Sequence, residues 1–133
     1  MKSVLLVFLL IVCTNCDINN QRLLLVNNTS NPVYYRLLTD TVLNKDHQLY
    51  KADAYDTVRP NFAMGGEGAW EYAINQNSKD STLHIYIFNN DNISDCTIRD
   101  NICHRKGFNL DELDSLNWVI TYPDDFKVNV VDY

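Results

Sequence analysis

The sequence lacks an apolar run long enough to cross a membrane, and it has little positive charge. Its main apolar run, from Val4 to Val12, is far shorter than the roughly 20 apolar residues that a spanning helix needs. The chain has 11 Lys and Arg against 17 Asp and Glu, a net charge of −6. Because an acidic surface repels phosphate backbones, we do not expect a nucleic-acid partner. Internal repeats and charge blocks are also absent, and 133 residues suit one domain.

The first residues have the pattern of a bacterial secretion signal. Lys2 supplies a positive start, the apolar run from Val4 to Val12 has the length of an h-region, and polar sequence begins at Thr14. We therefore predict a signal peptide over residues 1–15 and export from the cytoplasm. A buried first strand or helix is the alternative. It fits poorly with a lysine before the run and a polar stretch directly after it.

The same segment predicts a lipid anchor at Cys16. Cys13 follows the bulky Val12, whereas Cys16 stands where polar sequence begins, although Asn15 makes the lipobox a loose one. Loss of Lys2 would leave ten basic against 17 acidic residues, a net charge of −7. Attachment would then depend on fatty acyl chains, such as palmitate, rather than on attraction to anionic lipid. We expect an envelope location, at the outer membrane. Ordinary cleavage nearby and release as a soluble protein is the alternative.

The remaining sequence predicts a single mainly β domain over residues 22–133, joined to the anchor by a short polar tether at 16–21. We expect a small antiparallel β-sandwich with one or two short helices inserted before the last strands. Strands are predicted at 22–26, 33–38, 69–74, 82–88, 118–122 and 126–131, and a further strand should end before Pro60. The first two should form a hairpin across the turn-rich stretch at 27–32. The strand at 82–88 is apolar on both faces, which predicts a central position.

A helix is predicted over residues 95–106. Ser94 is a suitable N-cap, and Gly107 fits the left-handed position that follows a last turn. Arg105 and Lys106 would interact favourably with the C-terminal end of the helix dipole.

A second short helix is predicted directly afterwards. Asn109 would cap it, with Glu112 at the third helical position, which is the pattern of a capping box. One apolar side would consist of Leu110, Leu113 and Leu116.

One segment in the last part of the sequence is similar to a segment found in a group of known proteins. The segment Leu113-x-x-Leu116-Asn117-Trp118-x-Ile120-x-Tyr122-Pro123 resembles the closing segment of small uncharacterised lipoproteins from Bacteroides-type gut bacteria. Earlier pieces of the chain are similar as well, among them Asn28-Thr29, Pro60, Trp70 and the strand at 83–88. The resemblance implies a lipid-anchored location and no particular activity.

No residue is predicted to be catalytic, to hold a cofactor or to bind a metal. His47 suits a solvated loop, and His84 suits a packed, hydrogen-bonded position in a strand. His104 lies beside Cys103, but adjacent helical residues do not face each other, so a thiol–imidazole pair is not expected. Zinc is not expected either, because Cys96, Cys103 and His104 would supply only three of its four ligands. Calcium is not expected at Asn89, Asp91 and Asp95, since the loop has neither a glycine hinge nor a bidentate glutamate.

Two surface features remain as hypotheses. Exposed aromatic side chains could stack on sugar rings, although core packing is the expected role of Trp70, Tyr72, Trp118 and Tyr122. Asp-Ser/Thr pairs followed by an apolar residue or Thr occur four times and are similar to O-glycan acceptor sites on exported proteins of Bacteroides-type bacteria. They give Thr41, Thr57 and Ser81 as possible O-glycosylation sites, with a fourth, weaker copy at Ser115. Turn chemistry beside strands is the alternative.

Cys96 and Cys103 are the cysteines left after loss of Cys13 and lipidation of Cys16. On the predicted helix they would stand roughly 10.5 Å apart, beyond the span of a disulfide. We therefore predict free thiols, with an irregular loop closed by a disulfide as the alternative.

These observations favour a lipid-anchored envelope protein that serves as a binding or accessory module, with a protein or glycan as ligand. A small extracytoplasmic hydrolase is one alternative, and it would need a pocket where a nucleophile or carboxylate meets a histidine. A purely structural envelope component is another, and it would show no concave surface.

Overall fold

The computed structural model describes residues 22–39, 43, 46–60, 68–93 and 103–127. The predicted signal peptide, the tether, Cys16, Thr41, Ser94, Asp95 and Cys96 lie outside these residues. The strands are β1 (Leu24–Asn27), β2 (Val33–Leu38), β3 (Tyr50–Ala52), β4 (Thr57–Val58), β5 (Leu83–Phe88), β6 (Cys103–Phe108) and β7 (Val119–Tyr122). The helices are α1 (Ala69–Tyr72), which continues as a π-helix (Ala73–Asn77), α2 (Leu110–Ser115) and a 3₁₀ turn (Asp124–Phe126).

Two β-sheets enclose one hydrophobic core, which confirms the predicted mainly β sandwich. The smaller sheet has the strand order β4-β1-β7 and the larger one β3-β2-β5-β6. Both contribute to the core, where Leu25 and Ile120 meet Ile85 and Ile87 with at most 1% of each residue exposed. Burial of such side chains is the main favourable contribution to folding.

The predicted hairpin of the first two strands is wrong, because β1 and β2 belong to different sheets. β1 pairs antiparallel with β4 and parallel with β7, so the sandwich contains one parallel pair among the described strands. The buried side chain of Asn27 donates to the backbone carbonyls of Ala52 and Asp53. Because β1 and β2 lie in different sheets, the turn at 28–32 carries the chain from one sheet to the other.

β5 has the central position that its two apolar faces predict. It pairs with β2 on one side and β6 on the other, and all six of its residues are buried. One face of β5 fills the sandwich core. The other face joins a second apolar cluster formed by Tyr86, Phe88 and Cys103, with partly buried Leu43 and Leu49 against it.

The predicted strand at 69–74 is wrong, because this segment is helical. Trp70, Ala73 and Ile74 are buried, a spacing of three and four residues that matches one face of a helix. Gly68 precedes the helix with a φ of 77°, a conformation that favours glycine. Tyr72, which the strand would have placed beside Trp70, is 58% exposed.

The predicted helix at 95–106 is wrong from Cys103 onward, because residues 103–108 form β6. Arg105 and Lys106 therefore do not lie at a helix terminus. Gly107 lies opposite His84 in the ladder with β5, and its φ is outside the left-handed region. A Cβ at Gly107 would lie 2.5 Å from Cγ2 of Thr82 and 3.3 Å from Nδ1 of His84, so close approach of the strands, rather than helix termination, accounts for this glycine.

The elements that follow agree better with the sequence. α2 has the predicted capping box, in which Asn109 accepts from the Glu112 amide and Glu112 accepts from the Asn109 amide, each at 2.9 Å. β7 follows at residues 119–122. The last predicted strand is wrong at Phe126, which belongs to the 3₁₀ turn, and residues 128–131 lie outside the described part.

Arg22 attaches the start of the described chain to the sandwich. Its guanidinium lies 4.2 Å from the ring centroid of Trp118 and forms an ion pair with Glu71 of α1. The Trp118 indole N–H donates to Asp114 of α2 at 2.8 Å. We call this end of the sandwich, where β1 and β7 begin, the entry end.

Candidate binding site

A cleft lies at the end of the sandwich opposite the entry end. Its volume is about 480 Å³, which is within the range of small-molecule sites. The cleft is lined by Thr29, Asn31, Pro32, Val33, Asn89 and Tyr122. These residues meet because the parallel pairing of β1 with β7 and the antiparallel pairing of β2 with β5 bring three strand ends and one strand start together.

Asn27 fixes the wall of the cleft formed by residues 29–31. Its side chain is fully buried, and its amide donates to the backbone carbonyl of Asn31 at 2.8 Å. Its side-chain oxygen accepts from both the backbone amide and the hydroxyl of Thr29, at 3.2 and 2.7 Å. The amide also reaches the carbonyls of Ala52 and Asp53. One buried side chain therefore ties the turn to the connection between β3 and β4.

Tyr122 also lines the cleft and is only 7% exposed. Its ring packs edge-on against His104 and Phe126, with centroids 5.6 and 5.4 Å apart. Burial raises the pKa of the Tyr122 phenol above its ordinary value, so the hydroxyl stays neutral and can donate. No hydrogen bond joins this hydroxyl to another residue in the described part of the chain.

None of the described residues that line the cleft is charged. The nearby carboxylate of Asp124 accepts from Lys127 at 3.1 Å and from the side-chain amide of Asn28 at 3.4 Å. These contacts, Lys127 first, lower the pKa of Asp124. Its charge is thus partly neutralised by a neighbour outside the cleft.

A histidine–carboxylate contact occurs elsewhere, at the entry end. Nε2 of buried His84 lies 2.8 Å from Oδ2 of Asp80, which confirms the prediction of a packed, hydrogen-bonded histidine. The hydroxyl of Ser78 donates to Asp80 at 2.6 Å and not to the imidazole. Nδ1 of His84 is buried near Gly107 and has no hydrogen-bond partner among the described residues. The arrangement holds a turn together and does not direct the serine hydroxyl toward the histidine, as nucleophilic catalysis would require.

The other candidate residues are spread over the surface and the core. His47 and His104 are partly buried, and Asn89 and Asp91 are exposed beyond the end of β5. No group of three or more possible metal ligands occurs in the described ranges. Trp70, Trp118 and Tyr122 are buried as predicted, with 3–7% exposure.

Cys103 is disulfide-bonded, so the predicted free thiol at this position is wrong. Its partner is outside the described residues. The prediction failed because it placed Cys103 on a helix, whereas Cys103 begins β6 and the helical rise does not apply.

The possible glycan acceptors that the structure describes are exposed. Thr57 lies on the edge strand β4, and Ser81, with a φ of 55°, lies in the turn before β5. Ser115 is exposed at the end of α2, where its hydroxyl donates to the carbonyl of Glu112. Exposure is compatible with modification and does not establish it, so Thr57 and Ser81 remain predictions.

The role of Asn27 and the existence of the cleft were missed from sequence. The run of amide and hydroxyl residues at 27–32 predicted a turn, and that is correct. Nothing local in it indicated that Asn27 is buried or that the turn would meet Tyr122. Those facts follow from the order of strands in the two sheets.

Comparison of the chain with protein-family models, with curated proteins and with solved structures found no match. Within the described residues, no helix has the length and apolar character of a membrane span.

Proposed function

We propose that this protein is a lipid-anchored binding module of the bacterial envelope, attached through Cys16 after removal of residues 1–15. The support for the anchor is the sequence: a positive start, a short apolar run and a cysteine where polar sequence begins. The resemblance of the segment ending at Pro123 to small envelope lipoproteins agrees with it.

The observation that carries the binding role is the neutral, preformed cleft. A concave surface of about 480 Å³ is more than a purely structural component requires. Among the lining residues that the structure describes there is no histidine or carboxylate, so general acid–base hydrolysis is less favoured there than binding. The hydroxyl of Thr29 is engaged with Asn27 and the Asn31 carbonyl.

The anchor is tested by metabolic labelling with an alkyne fatty acid in the native host. The wild-type chain should carry the label and sediment with membranes, and Cys16→Ala should lose both properties. Cys13→Ala is the matched control and should keep the label, because that cysteine lies within the predicted signal peptide. Continued labelling of Cys16→Ala, or loss of the label in Cys13→Ala alone, would show that the anchor is assigned to the wrong cysteine.

A further inference from the structure

We propose that the cleft between the turn at 29–31 and Tyr122 binds a neutral saccharide. The proposal rests on the proposed function, in which this cleft is the binding site, and it specifies the chemical class of the ligand.

Charge is the first argument. A ligand with a net charge is usually held by at least one opposite charge in its site. The six lining residues in the described part of the chain carry none. The chain as a whole has a net charge of −6, which also disfavours an anionic ligand. A neutral ligand rich in hydrogen-bonding groups fits best.

The polar side chains of residues that line the cleft provide the second argument. The side-chain amide of Asn31 is exposed and makes no hydrogen bond to other described residues. Like the Tyr122 hydroxyl, it is available to a ligand. An amide can donate to one hydroxyl and accept from its neighbour, which matches the adjacent hydroxyl groups of a sugar ring.

The apolar part of the lining supplies the complementary surface. Exposed Pro32 and the small accessible parts of Val33 and Tyr122 line the same cleft, and the C–H face of a sugar ring packs against such surfaces. A site with a few convergent polar groups on an apolar wall is typical of small-ligand recognition.

Preorganisation gives the third argument. The wall that presents Asn31 is held by the hydrogen bonds of buried Asn27, and Tyr122 is held by His104 and Phe126. Because both are fixed before binding, little conformational freedom is lost when a ligand enters. Asn27 acts on the ligand only through the turn and is therefore a positioning residue.

The position of the cleft fits display on a surface. β1 runs from the entry end, next to Arg22, to Asn27 beside the cleft. An anchor at Cys16 would join the domain at the entry end through a tether of only a few residues. The cleft would then open on the side away from the membrane, where extracellular or periplasmic saccharides are accessible.

The proposal is tested with the full chain. It is purified in detergent if it is found in the membrane fraction, and without detergent if it is found in the soluble fraction. The probes are maltotriose, cellotriose, mannotriose and triacetylchitotriose at millimolar concentration. Their binding is measured by calorimetry and by ¹H–¹⁵N NMR. We expect at least one to bind and to shift the side-chain amide signals of Asn31. Asn31→Ala and Tyr122→Phe should each weaken binding about fivefold or more, the effect of one lost hydrogen bond.

Matched controls separate the cleft from the rest of the surface. Asn75→Ala and Tyr72→Phe remove the same groups from exposed positions on the helical segment at 69–77 and should leave the affinity unchanged. Equal losses in cleft and control variants would overturn the assignment of the site.

Two further probes distinguish failure of the ligand class from failure of the binding role. If the anionic saccharide trigalacturonate or the peptide trialanine shifts the cleft signals and the neutral saccharides do not, the ligand is not a neutral saccharide and the binding module stands. If none of the probes shifts them, the saccharide proposal is overturned. The lipid-labelling result is independent of either outcome.

Discussion

At the scale of single residues, Asn27 and Gly107 each determine local geometry, and neither role is evident from the residue type alone. Asn27 looks like one amide among several in a turn, yet it is fully buried and holds the turn that borders the cleft. Gly107 looks like a helix terminator, yet it allows β6 to approach β5. In both cases the residue type indicates a position with a special local role, and a tertiary contact explains why that residue is there.

Substitution of Gly107 distinguishes close approach from backbone strain. Gly107→Ala would place a Cβ 2.5 Å from Cγ2 of Thr82, and we expect it to lower the free energy of unfolding by about 1–3 kcal/mol through overpacking. Thr82→Ser removes that methyl group and keeps the hydroxyl, which donates to the Asp80 carbonyl at 3.0 Å. The double variant should therefore recover most of the loss in urea unfolding. A cost unaffected by Thr82→Ser would show that the methyl contact is not its cause.

At the scale of elements, the sequence predicted those whose determinants are local. α2 carries its own capping box, and β5 is apolar on both faces over six residues. The predictions of a strand at 69–74 and of a helix at 103–106 are wrong. In the first, alternation of Trp70 and Tyr72 outweighed the helical spacing of Trp70, Ala73 and Ile74. In the second, apparent caps outweighed pairing with β5, which no local pattern reveals.

The turn that leads into β5 should respond to acid. Hydrogen bonding from Ser78, and next from His84, lowers the pKa of Asp80 below its ordinary value of 3.8. A carboxylate whose pKa is lower in the folded state stabilises the protein above the unfolded-state pKa, and this contribution disappears as the pH falls through the folded-state pKa. Asp80→Asn should therefore lower Tm at neutral pH, and the difference from wild type should shrink below pH 3.8. Asp91→Asn, in an exposed turn, is the control. A difference independent of pH would count against this role of Asp80.

At the scale of the whole molecule, the general architecture was predictable and the cleft was not. A mainly β sandwich follows from the number of apolar, alternating segments. The cleft depends on β1 pairing in parallel with β7, from the far end of the described chain. That pairing brings Tyr122 beside the turn at 29–31. Each segment's own sequence is compatible with several sheet orders, so the site becomes visible only once the order is known.

The disulfide of Cys103 links the fold to the proposed anchor, because its partner must come from the other three cysteines of the chain. If Cys13 is removed with the signal peptide and Cys16 is acylated, Cys96 alone remains, and we expect a Cys96–Cys103 bond. Closing a loop of about eight residues should stabilise the domain by about 2–3 kcal/mol, so reductant should lower Tm.

Thiol titration in denaturant without reductant identifies the partner. Wild type should show no free thiol, and Cys96→Ser should release one, at Cys103. Cys16→Ala, which removes the proposed lipid site, should leave Cys103 blocked. If Cys103 instead stays blocked in Cys96→Ser and becomes free in Cys16→Ala, then Cys16 is the bonded cysteine. Since a sulfur atom in a disulfide cannot carry a thioether-linked lipid, that result would contradict both the lipid anchor at Cys16 and the Cys96–Cys103 bond.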